Sequence, residues 1–485
     1  MLWTLLISSA FAGALNVQSI QKNIKDQGLQ WTAKESIFTR LSIKEIKRLL
    51  GAETLKNTTL KQDYFPRAAE DSIDWRNVNG VNWLGPVMNQ ANCGSCVAFA
   101  TVATLEGQVS VSSGQPWYHP AFSPQALFGC GGGKCDSGWF TSSGASYVAK
   151  NGVPDMACLP YTSGSSGKDV ACKSACGDIK SRSYKALTTY SASGAVSTVI
   201  AALKKGPLIT QMNVYSDFVA YSGGIYKSTS STQVGGHAIS LVGYNATERY
   251  WIIRNSWGVE WGEKGFARIS WDDKSGIGST NYGFTIAKDD AYVNIASPLD
   301  GAYISDLSEI KVIHSNSKEV VKTVLKNTKT NTVYNVECIE KENNQCAAQI
   351  EQGIPDGTYE VYAERAGKRS VIQRLNIVNE LPANLSVRIT STNIDWMNLK
   401  GRIEIALATT TSSVPLQAVE LVALDSSGKV AYSRTQGEIL PSMLLGFRTT
   451  NMKNGNYEMF YRGHITVQGK DNVVESQHIK IAIKN

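Results

Sequence analysis

The chain has 485 residues, 42% of them hydrophobic and 18% charged, an ordinary globular composition with length for roughly two to four domains. Its 48 Lys and Arg against 41 Asp and Glu leave a net charge of +7 with the basic residues scattered, so charge gives no support to a nucleic-acid or anionic-membrane partner. Nine cysteines fit an oxidising compartment, and the odd count leaves one thiol over when the rest pair.

Residues 1–14 hold a short apolar run and then small residues at signal-peptidase spacing, which predicts a leader ending after Ala12 or Ala14. Beyond it no stretch approaches the roughly 18 apolar residues of a membrane span, so the expected location is extracellular or a lysosome- or vacuole-like compartment. Asn57, Asn245 and Asn384 open sequons and are glycosylation candidates. Residues 41–51 carry helix punctuation: Ser42 and Glu45 form a capping box, Leu41 can staple onto Ile46, and Gly51 suits a left-handed C′ position. So short a helix does not hold itself in water. The region from about 15 to 68 is therefore expected to lie on another part of the chain.

Asp74-Trp75-Arg76 opens an irregular strand and loop. Gln90-Ala91-Asn92-Cys93-Gly94-Ser95-Cys96 then turns into a buried helix running from Cys96 to about residue 109, with Val97, Phe99, Ala100, Val102, Ala103 and Leu105 on it. On spacing alone Cys93 and Cys96 could be a redox pair, half a zinc site or two disulfide halves, as well as a nucleophile and its neighbour. Residues 129–145 and 158–178, rich in Gly, Ser and Cys, predict crosslinked loops. From Gly206 the pattern becomes β, and 236–244 with 250–255 reads as a hairpin. A turn centred near Thr247 sets Asn255 opposite Ile239 and within side-chain reach of His237.

Beyond about residue 290 apolar and polar residues alternate. Asp356-Gly357-Thr358-Tyr359 is echoed by Asn454-Gly455-Asn456-Tyr457, about 100 residues on, the length of one β-sandwich domain. This predicts two all-β Ig-like sandwiches, over 291–380 and 381–485, with Cys338 and Cys346 pairing across a hairpin. His119, His314, His464 and His478 read as surface or structural, and Trp251 and Trp261 as packing. No cluster has metal-ligand spacing, and neither a metal nor another cofactor is expected.

A thiol at a helix start beside an imidazole has its pKa drawn from about 8.5 towards 3.5–7.5 and becomes a nucleophile. His237 would carry the proton, Asn255 orient the ring, and Gln90 together with the Cys96 N–H donate to an oxyanion. These residues, Gln90 to Ala100, Gly235-Gly236-His237-Ala238 and Asn255-Ser256-Trp257-Gly258 in that order, resemble papain-type cysteine peptidases. Cys158-Leu159-Pro160-Tyr161 and Val214-Tyr215-Ser216-Asp217-Phe218 are most similar to cathepsin B.

The resemblance implies an α+β papain-like fold over 69–290, with a helical subdomain and a β-barrel-like one, preceded by an inhibitory pro-segment over 15–68. It implies Cys96, His237, Asn255 and Gln90 as catalytic residues, and Trp257 as a shield over the His–Asn bond. Gly138, beside Ser137, would pair with substrate backbone, and Thr280 would floor an uncharged P2 pocket. It also implies the pairs Cys93–Cys135, Cys130–Cys172 and Cys158–Cys176, which with Cys338–Cys346 leave Cys96 alone. Val97 stands where the family usually has Trp, and Ser137 where it has Gly.

Between Cys158 and Cys176 the segment is short and lacks His, so an endopeptidase is expected rather than a carboxy-dipeptidase. Its partners would be protein or peptide substrates, its own pro-segment, and a protein or surface bound by the sandwiches. The contrasting reading is an idle protease-like binding or adhesion protein.

Overall fold

The computed structural model describes residues 15–485 except 57, 65–70, 117–119, 288–291, 306–307, 316–319, 342–343, 366, 380–386, 390–393, 401, 410–415, 437–441 and 468–469. The leader, the Asn57 and Asn384 sequons, His119 and the stretch 65–70 lie outside the described residues.

The Cys96–Ser113 helix is apolar on nearly every face, as a helix enclosed by its own protein must be. It ends at Gly114, whose φ of 67° and N–H bonds to the Ser110 and Val111 carbonyls close its last turn. Around it pack Leu127, Phe128, Ala145 and Val148, forming a helical core. Val97 is fully buried, and a Cβ on Gly144 would come within 3.1 Å of its Cγ1. The two small residues thus let the Thr141–Lys150 helix approach closely. This corrects the expectation of loop over 129–145: Pro124–Gly131 and Thr141–Lys150 are both helical, because packing against the long helix outweighs the low propensity of Gly and Ser.

A second core lies in a nine-stranded sheet. Its order runs Trp31–Ala33, Tyr221–Tyr226, Phe266–Ser270, Tyr250–Arg254, Gln233–Asn245, Leu208–Tyr215, Asn281–Thr285, Thr188–Ser191, with Ser72–Asp74 added to Gln233–Asn245. The edge strand Trp31–Ala33 comes from the N-terminal segment. That segment also contributes Ile20, Ile24, Phe38 and Ile46 to the same core as Phe218, Tyr226 and Trp257. Its Ile43–Arg48 helix has both hydrogen bonds of the Ser42–Glu45 capping box.

The hairpin register near its open end is Ser240 opposite Arg254 and Leu241 opposite Ile253, which carries Ile239 to Asn255 as the turn position predicts. A bulge beyond Leu241 shifts the remaining pairs by one.

The C-terminal part is built of β-sheets. Val293–Ser297, Glu309–His314 and Gln345–Gln349 face Lys322–Asn327, Gly357–Arg365 and Gln373–Ile377 across one core. Val333–Glu340 pairs with a strand of each group. After residue 387 a three-stranded and a five-stranded sheet enclose another core containing Ile405, Leu421, Tyr461 and Ile481.

The first of these units is seated on the helical part. Arg182, whose side chain is 4% exposed, donates to Asp155 at 2.8 and 2.5 Å and to Glu360 at 3.0 Å. Arg374 donates to the Ala157 carbonyl at 2.9 Å, and Ile313 joins the helical core. No helix among the described residues is long and apolar enough to cross a membrane.

Candidate active site

His237 projects from the Gln233–Asn245 strand and Asn255 follows the Tyr250–Arg254 strand, so the hairpin brings them together. His237 Nε2 lies 2.8 Å from Asn255 Oδ1, an atom that also accepts the Ser256 N–H at 2.8 Å. An acceptor of that kind requires the proton on Nε2, which leaves His237 Nδ1 as the basic nitrogen. Nδ1 is buried with no hydrogen-bond partner among the described residues. Trp257, itself buried, stacks on the imidazole at 4.9 Å between ring centres.

Cys96 is the first residue of its helix and the one free cysteine among the described residues. Its Sγ accepts the Ala238 N–H at 3.4 Å. Gln90 is fixed from both ends: Nε2 donates to the Cys93 carbonyl at 2.9 Å and Oε1 accepts from Ser256 Oγ at 2.7 Å. Tyr161 lies 2.7 Å from Ser95 Oγ and donates to the Gln90 carbonyl at 2.7 Å. The same Ser256 thus ties the turn before the helix to the His–Asn pair.

The N-terminal segment runs across these residues. Leu49 accepts from Trp257 Nε1 at 3.1 Å, the Gly51 and Ala52 N–H groups donate to Gly236, and Gly51 accepts from the Trp139 N–H at 2.7 Å. Gly51 is not a left-handed cap, as its position after a helix suggested, since its φ lies outside the positive region. It lies flat on the turn before Cys96, where a Cβ would overlap the Gly94 carbonyl, so closeness of approach demands the glycine.

Under this cover Cys96 and His237 are held away from the charged forms expected of the uncovered pair. Burial pushes the Cys96 thiol up to about 12, against the pull of the Ala238, Val97 and Gly51 N–H groups. Burial pushes His237 down to about 4, with the Asn255 bond acting the other way. Both groups are neutral because neither charge has solvent.

The sequence profile of the family described as "Papain family cysteine protease" matches residues 69–285. "Cathepsin B-like CP3" of Giardia intestinalis is 35% identical over 282 residues, covering 55% of this chain and 92% of the relative. The chain belongs to the papain family of cysteine proteases. "Cathepsin B-like CP2" of the same organism is 32% identical over 284 residues, covering 55% of this chain and 92% of the relative. Among solved structures, "proCathepsin B S9 from Trypanosoma congolense" aligns over 56% of this chain and 99% of its own, at 22% identity and a TM-score of 0.47.

In this papain-family chain the disulfides are Cys93–Cys135, Cys130–Cys172, Cys158–Cys176 and Cys338–Cys346. The first binds the turn before Cys96 to the loop carrying Ser137 and Gly138. Ser137 is exposed, while Gly138, at φ +74°, is buried under the Gly51 carbonyl, which a Cβ at Gly138 would overlap. The backbone bond to the N-terminal segment comes from the next residue, Trp139. Thr280 is half-buried, and its carbonyl accepts from Thr210 Oγ1 at 3.4 Å. At that end the N-terminal segment meets Gly276 through Thr58 and Gly278 through Leu60. Asn245 sits half-buried at the hairpin turn.

Sequence reasoning missed Gln211 and Asn213, buried polar residues of the Leu208–Tyr215 strand whose side chains hold the N-terminal segment. Two polar residues spaced by two inside a buried strand were the available signal. It also missed Glu106, which burial raises to about 7 and which lies 3.9 Å from the buried Arg254 beside Asn255.

Proposed function

We propose that this protein is a cysteine endopeptidase made as a zymogen. Residues 15–68 are its pro-segment, 69–290 its catalytic domain, and 291–380 and 381–485 two Ig-like sandwiches, with the whole chain routed through the secretory pathway to an extracellular or lysosome-like compartment.

The observation that carries the reading is the shared acceptor Asn255 Oδ1, which fixes the His237 tautomer with its basic nitrogen free. Once the pro-segment leaves, Nδ1 takes the Cys96 proton. The resulting thiolate, at a helix start and beside an imidazolium, is the stable form. Sγ then attacks the substrate carbonyl. Gln90 Nε2 and the Cys96 N–H donate to the oxyanion, His237 returns the proton to the leaving amine, and water hydrolyses the thioester by the reverse sequence.

The shortness of the segment between Cys158 and Cys176 and its lack of His support internal cleavage, since no imidazole there would hold a substrate C-terminus. An uncharged Thr280 supports apolar P2 side chains. The Ig-like reading is supported by two matching bonds: Tyr359 Oη donates to the Pro355 carbonyl at 2.8 Å and Tyr457 Oη to the Lys453 carbonyl at 2.9 Å. Such a bond resembles the tyrosine corner of Ig-type sandwiches.

The test is a fragment map of a long peptide treated with the processed protein. Internal cuts that disappear in Cys96→Ala are expected. Stepwise release of C-terminal dipeptides alone would contradict endopeptidase action.

A further inference from the structure

The Leu208–Tyr215 strand pairs with the histidine strand so that Gln211 is opposite Ala238, Met212 opposite His237 and Asn213 opposite Gly236. Gln211 and Asn213 therefore point to one face, 1% and 3% exposed respectively. The Asn213 carboxamide makes a two-point contact with one residue's main chain: its Oδ1 accepts the Leu55 N–H at 2.8 Å and its Nδ2 donates to the Leu55 carbonyl at 3.1 Å. Gln211 Nε2 donates to the Glu53 carbonyl, while Thr141 Oγ1 holds its Oε1 at 3.0 Å. Gly236 opens the path, because a Cβ there would overlap the Glu53 and Ala52 carbonyls.

When the pro-segment departs, three polar atoms lose their protein partners and are left to water. A second extended chain is the occupant whose groups match them. A carboxamide offers one acceptor and one donor, so it pairs with the N–H and C=O of a single residue whichever way that chain runs, and it makes no demand on the side chain.

We infer that in the active enzyme Gln211 and Asn213 form a main-chain clamp for the substrate on the Gly138 side of the cleft, an inference that rests on the peptidase reading. Leu55 lies four residues from Gly51, which covers the turn before Cys96. The clamped substrate residue is thus roughly 13 Å from the reacting carbonyl, its fourth or fifth residue on that side. The clamp favours unfolded or extended polypeptides over short peptides and excludes proline at the clamped position, where the N–H is needed.

The experiment is an N-methyl scan through the second to fifth residues on that side of a peptide substrate, with wild type and Asn213→Ala processed alike. One position beyond the second should lose about tenfold in kcat/KM on N-methylation, and in Asn213→Ala that loss should fall below twofold. The same peptides, fluorescently labelled, are titrated onto the processed Cys96→Ala protein, which reads binding without turnover. If no peptide is cleaved yet the position-specific binding loss is present, the peptidase reading fails and the clamp stands. If wild type shows no sensitive position beyond the second, or Asn213→Ala keeps the full loss, the clamp is overturned. The wild-type scan alone decides this should Asn213→Ala not fold.

Discussion

Trp139 donates its backbone N–H to the Gly51 carbonyl at 2.7 Å, so the N-terminal segment occupies a hydrogen-bonding position on the cleft wall directly beside Gly138. Gly51 is equally confined on its other side by Gly94. Replacing Gly51 with Val should prevent this seating. In the Cys96→Ala chain, which lacks the proposed nucleophile, Gly51→Val is expected to render the N-terminal segment at least tenfold more susceptible to added trypsin at pH 7.5, roughly 1.4 kcal/mol of lost closure. Unchanged susceptibility would mean the cover is held elsewhere.

The neutral His237 makes the cover sensitive to pH, and the sign follows from its shift. His237 is depressed from 6.5 to about 4, so its contribution to closure is fully present above 6.5 and is lost as pH falls towards 4. The Cys96→Ala chain isolates this effect, since no thiolate can pair with the imidazolium once the cover opens. Hydrogen exchange of the N-terminal segment in the Cys96→Ala chain should accelerate between pH 6.5 and 4, beyond the intrinsic pH effect. His237→Gln should flatten that rise, and an identical rise in His237→Gln would assign it to other groups.

Arg182 is buried between Asp155 and Glu360. Removing one partner of a buried ion pair leaves the other charge without compensation, typically a loss of about 3–5 kcal/mol. Arg182→Ala should therefore lower the denaturation midpoint sharply, while Arg182→Ala with Asp155→Ala should recover part of it. Equal losses in the single and double variants would show that the charge pairing is not what the site contributes.

Gln90→Ala removes a side chain held by the Cys93 carbonyl and by Ser256. As an oxyanion donor it should cost about 10²–10³ in kcat, with KM changing far less. A loss carried entirely in KM would remove Gln90 from the transition state.

The parts of this structure that were legible in the sequence are those fixed by neighbours along the chain. The Ser42–Glu45 capping box is one, and the hairpin register that joins His237 to Asn255 is another, since a turn position sets every pair after it. Gly51 was misread because a glycine ending a helix looks the same whether it supplies a left-handed φ or room for a distant wall, and only the folded chain reveals Gly94 above it. The Thr141–Lys150 helix was hidden for a similar reason: its Ser and Gly are unfavourable alone and acceptable against Val97 and Thr101. The shifts of Cys96 and His237 in the covered state were not legible, because burial beneath the N-terminal segment is a long-range contact.

The central claim is that Cys96 becomes a nucleophile when the cover leaves. An epoxide affinity label for cysteine peptidases, applied to the processed protein and mapped by mass spectrometry, tests it most directly. Labelling confined to Cys96, stoichiometric with loss of peptide turnover and absent from the covered chain at pH 7.5, is the predicted result. Labelling at Cys93, or turnover that survives Cys96→Ala, would contradict it.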